Sequence, residues 1–161
     1  MLITSKGRYA LRLMIYVAAA GGDASSASDK VTLRQVADSE NISLKYLEQL
    51  AHTLVKADLL VSVRGHGGGY MLAREASSIR AGDVIRAAEG STTPVACAGL
   101  DDSCPRESMC SAVAFWAGLD ELIENYVDGV TLADLAQTSF TLPDPLPTNA
   151  ARPTGACSAK R

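Results

Sequence analysis

Apolar residues recur at helical spacing from residue 4 to residue 20. Tyr9, Leu13, Tyr16, Val17 and Ala20 share one face, and Gly21-Gly22 supplies a stop. The stretch "GGDASSASDK" is small and polar, so it reads as a loop. Thr32 and Gln35 have the spacing of a capping box, in which each side chain satisfies a free backbone amide of the other. That box opens a short helix with Leu33, Val36 and Ala37 inside, and Asn41 can end it in a left-handed conformation. Ser43 then caps a third helix, "LKYLEQLAHTLVKADLL", with Leu47, Leu50, Leu54 and Val55 on one face.

The pattern next switches to strand. Residues 60–63 and 70–73 flank a glycine turn and predict a β-hairpin. Ser77 or Ser78 is the expected cap of a further helix with Val84, Ile85 and Ala88 inside and Gly90 as its end. Residues 91–110 lack periodicity. From Ser111 a long helix places Val113, Trp116, Leu119, Ile123, Tyr126 and Val127 on one stripe, with Asp120, Glu121 and Glu124 opposite. Thr131 and Asp134 can cap a last short helix containing Leu132 and Leu135. Beyond residue 138, Pro143, Pro145, Pro147 and Pro153 break every periodic reading, and the tail is expected to be disordered. No internal repeat is present. The predicted fold is mainly α with a small β-hairpin: a winged helix-turn-helix over residues 1–90, a cysteine-bearing loop over 91–110, and a long C-terminal helix with a short partner over 111–137. The disordered tail would then occupy 138–161.

Composition narrows the function classes. The chain has 161 residues, 47% of them hydrophobic, enough for one domain with an appendage. No apolar run reaches the roughly 18–20 residues that span a bilayer. Lys6, Arg8 and Arg12 interrupt the apolar pattern at the start, unlike a signal peptide, so a cytoplasmic location is expected. The net charge of −3 hides an asymmetry. Residues 1–90 carry 11 Lys and Arg against 9 Asp and Glu, whereas residues 91–161 carry 4 against 9. The first part can meet a polyanion at a local basic face.

The turn "VSVRGHGGGYML" raises the question of a phosphate loop. A P-loop needs a Lys and a Ser or Thr leading into a helix, and a dinucleotide fingerprint also needs a helix after its glycines. Here the chain leaves the turn as a strand. No carboxylates pair in a plausible pocket, and neither His52 nor His66 has a partnered nucleophile, so an enzyme has little support. A pure interaction adaptor is a further alternative. A slim glycine tip bearing Arg64 and His66 suits a narrow, electronegative DNA minor groove. An ordinary hairpin with a solvated Arg is the alternative for this stretch taken alone. The helix opening at Ser43 would be the recognition helix, its N-terminal part facing the major groove. Candidate contacts to double-stranded DNA are Lys6, Ser43, Lys45, Tyr46, Glu48 and Gln49, with Arg64, Gly65, His66 and Gly67 on the wing. Ser43 and Tyr46 can bind phosphate, and Gln49 can read adenine. Glu48 can accept from cytosine N4 or remain a solvated helix residue.

Cys97, Cys104 and Cys110 form the pattern Cys-x6-Cys-x5-Cys, and a fourth thiol, Cys157, lies in the tail. Three thiolates on one short loop can converge on a soft metal or a cluster. The spacing is not that of a zinc ribbon, and three unconnected thiols remain an alternative.

Three stretches carry a family resemblance: Thr4-Ser5-Lys6-Gly7-Arg8-Tyr9, "ISLKYLEQL" from residue 42, and Arg64 to Tyr70. Over about residues 1–137 the chain resembles the iron–sulfur transcription regulators that include IscR, NsrR and CymR. The resemblance implies a homodimer on a palindromic operator, with Arg64 reaching the minor groove and Glu48 tuning which sites are accepted. It makes Cys97, Cys104 and Cys110 ligands of an iron–sulfur cluster, 4Fe–4S or 2Fe–2S. His66 stands where the family commonly has Pro. The fourth ligand departs from the pattern. The His that follows the third cysteine in IscR-like members is Val113 here, and the acidic residue at position 8 of the partner chain in NsrR-like members is Arg8. An exogenous ligand, or one of Cys157, Asp101, Asp102, Glu107 and His52, is left for that place. Cys157 reads as a bystander thiol, and His52 suits packing or a phosphate contact. A weakly held fourth position would leave one iron open to nitric oxide or oxygen. The expectation is therefore a dimeric regulator sensing redox, iron–sulfur or nitric-oxide status; the alternative on the same fold is a cluster-free thiol or zinc switch.

Overall fold

A computed structural model describes residues 3–21, 30–65, 67–95 and 109–137. Helix α1 spans Ser5–Ala19 behind an N-cap at Thr4, whose side chain accepts from the Lys6 amide. Its buried residues are Gly7, Ala10, Leu13, Met14 and Val17. The buried stripe is therefore turned away from the expected one: Tyr9 and Tyr16 are only half-buried and Ala20 is exposed. The central position of α1 explains the shift, since it touches α2, α3, α4, α6 and the hairpin, and small residues let those elements approach.

Helix α2 (Leu33–Glu40) opens on the expected capping box. Thr32 and Gln35 exchange hydrogen bonds, and Asn41 closes the helix at φ 52°, ψ 47°. Helix α3 (Leu44–Lys56) starts at Ser43, whose side chain accepts from the Tyr46 amide. Caps of this kind stabilise a helix by about 1 kcal/mol. Leu47, Leu50, Ala51 and Leu54 of α3 are buried, Val55 only partly. The helix stops four residues before the expected Leu60. Asp58 turns left-handed at φ 54°, and the Leu59 amide bonds back to the Leu54 carbonyl. Leu59 and Leu60 are both buried and enter the core from an extended chain.

Strands β1 (Leu60–Val63) and β2 (Gly69–Leu72) pair antiparallel, from Leu60 opposite Leu72 to Val63 opposite Gly69. The second strand starts one residue earlier than predicted. The reason is a third strand-like contact: Val31 and Tyr70 exchange both backbone bonds, at 3.0 and 2.8 Å. A Cβ at Gly69 would lie 2.8 Å from the Val31 carbonyl oxygen, so glycine is needed where the two backbones pass.

The serine cap expected at 77 or 78 does not form. The Ser78 hydroxyl donates to the Glu75 carbonyl at 2.7 Å, closing a single 3-10 turn at Ala76–Ser78. Ile79 then enters the core, and helix α4 (Ala81–Glu89) begins after Arg80, whose amide donates to the Asp83 carboxylate at 3.1 Å. Gly90 ends α4 at φ 89°, as its position predicts. Helix α5 (Val113–Gly129) begins two residues after the predicted start. The capping box of Thr131 and Asp134 opens α6 (Leu132–Ala136). Backbone bonds from Ala81 to Val130 and from Leu132 to Ile79 lock α6 to the start of α4. The architecture is the expected winged helix-turn-helix with a long C-terminal helix. No helix among the described residues is long and apolar enough to cross a membrane.

Helix α4 also fills the N-terminus of α1. The Glu89 carboxylate accepts from the Thr4 amide and hydroxyl and from the Gly7 amide, at 2.8–2.9 Å. Burial pushes this carboxyl up, but the Thr4 and Gly7 bonds outweigh it and hold Glu89 below the ordinary glutamate range. A carboxyl depressed on folding stabilises the protein fully above its unfolded pKa, and that stability is lost as pH falls through the folded value. Chemical denaturation across pH should therefore find Glu89→Gln less stable than the parent at neutral pH, with the gap closing in acid. A gap that stayed constant or widened in acid would contradict this capping role.

Candidate nucleic-acid interface

The helix-turn-helix comprises α2, the turn at 41–43 and α3. With Leu47, Leu50, Ala51 and Leu54 turned to the core, helical geometry leaves Lys45, Glu48, Gln49, His52 and Lys56 on the opposite, exposed face, and Ser43 exposed at its start. Five of the residues predicted for DNA contact, Ser43, Lys45, Tyr46, Glu48 and Gln49, thus fall together within about two turns. Tyr46 is half-buried. Its ring meets Tyr9 of α1 edge-on, with centroids 5.9 Å apart and planes at 84°.

Tyr9 brings in two cations that the sequence pattern alone does not place at this site. The Arg8 and Arg12 guanidinium carbons lie 5.8 and 5.7 Å from the Tyr9 ring centroid. Arg12 also grips the end of α2, donating from Nε to the Glu40 carboxylate at 2.7 Å and from Nη2 to the Glu40 carbonyl at 2.8 Å. The C-terminus of α2 and the N-terminus of α3 are thereby held against α1. The signal was present in the sequence as Arg-Tyr-x-x-Arg on one helix, but its target on α3 was not. Lys6 is exposed in the first turn of α1. Nearby, the Thr4 and Gly7 amides donate to Glu89 and the Lys6 amide to the Thr4 hydroxyl, so the chain's own carboxylate already occupies the place where a helix N-terminus would meet an anion.

On the wing, Arg64 is exposed. Gly65 and Gly67 adopt φ values of 104° and 77°, with open space where a Cβ would stand. They are glycines for their backbone conformation, whereas Gly68 is one for lack of room. A Cβ at Gly68 would meet the Val63 carbonyl oxygen and lie 2.9 Å from that of Gly65, which accepts the turn-closing bond from the Gly68 amide. His66 lies outside the described residues.

Of the three candidate cluster ligands, Cys110 is described. It is exposed and precedes α5, its carbonyl accepting from the Val113 amide at 3.3 Å. Cys97 and Cys104 lie outside the described residues, as do Asp101, Asp102, Glu107 and Cys157. Among the described residues no three His, Cys, Asp or Glu side chains converge on a metal position. His52 and Arg8 are exposed on α3 and α1.

The stripe expected on α5 divides in two. Val127 is buried, on a helix that packs against α4, and Trp116, Leu119 and Ile123 are half-buried. Phe115, Leu122 and Tyr126 remain 65%, 46% and 42% exposed, so the free apolar edge runs through two residues, Phe115 and Leu122, that the stripe omitted. A cavity of about 360 Å3 opens beside it, lined by Ile3, Ile85, Leu122, Ile123, Tyr126 and Val127. The acidic side is not simply solvated. Arg86 of α4 donates to Glu124 and to Asp128, each at 2.6 Å.

Comparison with known proteins agrees with this architecture. The model of the Rrf2 family, described as an iron-dependent transcriptional regulator, matches residues 3–138. The HTH-type transcriptional regulator IscR of Yersinia pseudotuberculosis is 40% identical over 142 residues, which is 88% of this chain and 83% of that protein. Among solved structures, CymR, the global cysteine regulator of B. subtilis, superposes with a TM-score of 0.66 at 36% identity, covering 84% of this chain and 96% of CymR. IscR of T. potens superposes with a TM-score of 0.64 at 34% identity, covering 84% and 85%.

The wing geometry gives a direct expectation. Gly68→Ala should loosen the hairpin turn, raising hydrogen exchange of the hairpin amides while those of α1 and α3 keep their protection. Unchanged hairpin exchange would show that the close approach to the Val63 carbonyl is not required.

Proposed function

The chain belongs to the Rrf2 family and is a DNA-binding transcriptional regulator rather than an enzyme; from that premise we propose a cytoplasmic homodimer that binds a palindromic operator and senses through an iron–sulfur cluster. In this reading each α3 enters a major groove. Ser43 and Tyr46 hold phosphate, while Lys45, Glu48 and Gln49 face base edges. Lys6 adds a backbone contact, and Arg64 with the tip Gly65-His66-Gly67 enters the minor groove. The observation that carries the reading is the polar turn of α3. Its outward residues are those able to meet DNA, and its inward ones are all apolar.

Two copies would meet along the exposed edge of Phe115, Leu122 and Tyr126, and that exposed apolar edge supports dimerisation. For the cofactor, three thiols within fourteen residues are the donor chemistry that suits iron and sulfide. Cys97, Cys104 and Cys110 would hold the cluster. When bound, it would supply sensitivity to oxidants or nitric oxide. The chain's own contribution is position: Cys110 stands just before α5, and Thr92, three residues after the end of α4 at Glu89 and 1% exposed, anchors the other end of the segment.

Absorption spectra with iron and sulfide assays on protein purified without oxygen test the cofactor. A broad charge-transfer band is expected, with about four irons per chain for a 4Fe–4S cluster or about two for 2Fe–2S. Ser at any of Cys97, Cys104 or Cys110 should abolish it, and Ser at Cys157 should not. Protein that stays colourless after reconstitution would overturn the cluster and favour a thiol or zinc switch on the same frame.

A further inference from the structure

Helix α4 carries a charged network that the DNA-binding reading does not use. The Arg86 guanidinium lies among three carboxylates: Asp83 on its own helix at 3.4 Å, and Glu124 and Asp128 of α5 at 2.6 Å each. Glu124 also accepts from the hydroxyl of buried Thr92, in the segment that leads towards the cysteines. The second Asp83 oxygen accepts from the Arg80 amide at 3.1 Å and pairs at 3.3 Å with Arg74, which stands two residues beyond β2. Gly82 makes the arrangement possible: a Cβ there would fall on the Asp128 carboxylate and lie 2.8–2.9 Å from the Arg86 guanidinium nitrogens.

Three carboxylates against two cations leave Arg86 as the group that lets α5 approach α4. Its side chain is 33% exposed and its partners on α5 36% and 44%, so solvent screening keeps the net stabilisation small. What two short bonds from one planar guanidinium fix is geometry. The chain of contacts runs from Thr92 and α5, through Arg86 and Asp83, to Arg74 at the base of the wing.

We propose that Arg86 is a positioning residue for DNA binding, carrying the placement of α5 through Asp83 and Arg74 to the wing and hence to Arg64. The inference rests on the reading that Arg64 contacts DNA. A displacement of α5, from whatever cause, then alters the wing without any change in the recognition helix.

A double-mutant cycle read by DNA affinity tests it, using the duplex that the full-length protein enriches from a randomised library. Arg86→Gln is expected to weaken binding about 5-fold or more. In combination with Arg64→Ala the loss should be smaller than the product of the two single losses, because both act through one contact. Asp83→Asn, which keeps an acceptor for the Arg80 amide, should show the same non-additivity. Glu89→Gln, on the same helix but outside the chain of contacts, should multiply with Arg64→Ala and so reports general loosening of the fold. Multiplicative losses for Arg86→Gln and Asp83→Asn would overturn the inference while leaving the wing reading intact. Full affinity in Arg64→Ala would overturn the wing reading, and this inference with it.

Discussion

The Glu89 carboxylate, seated on the first turn of α1, is the contact on which the arrangement depends. It satisfies two backbone amides that a helix N-terminus leaves free, and the Thr4 hydroxyl as well. It can do so because residue 7 is glycine: a Cβ there would lie 2.8 Å from a Glu89 oxygen. The contact sets α4 across the start of α1. Once α1 is fixed, its other end of contacts follows, with Arg12 on the end of α2 and Tyr9 on Tyr46. The helix-turn-helix is thus held from behind by one helix, which is itself held by another.

Helix α4 faces two ways. Glu89 serves the DNA-binding unit, and Arg86, one turn earlier, serves α5. The segment bearing Cys97 and Cys104 joins the end of α4 to the start of α5. Any sensor held by those cysteines is therefore joined along the chain to both of the elements that Arg86 bonds together. Coupling between sensor and DNA requires only that the two states of the loop favour different placements of α5.

Much of this was legible in the chain, and the pattern of success is physical. The caps at Thr32, Asn41, Ser43, Gly90 and Thr131 were readable because each is a bond within a few residues. The exposed turn of α3 was readable because burial at Leu47, Leu50 and Leu54 fixes the opposite face. What failed depended on distant neighbours. Ser78 looked like a cap, yet Ile79 had to enter the core before α4 could start. "ADLL" continued a helical pattern, yet Leu59 and Leu60 are needed on the path into the hairpin. Arg8 and Arg12 could be seen as basic residues, but their stacking on Tyr9 beside Tyr46 requires α1 to lie against α3. On α5, apolar spacing could not tell which edge meets α4 and which stays free.

The central claim is that the cluster state sets DNA affinity through this frame. Its most direct test is a titration, by fluorescence anisotropy, of an enriched duplex with protein purified without oxygen, before and after the cluster is removed by chelation. The account predicts that the two affinities differ by about 5-fold to 150-fold, the usual range of coupling between two sites. Equal affinities for the two forms would contradict it.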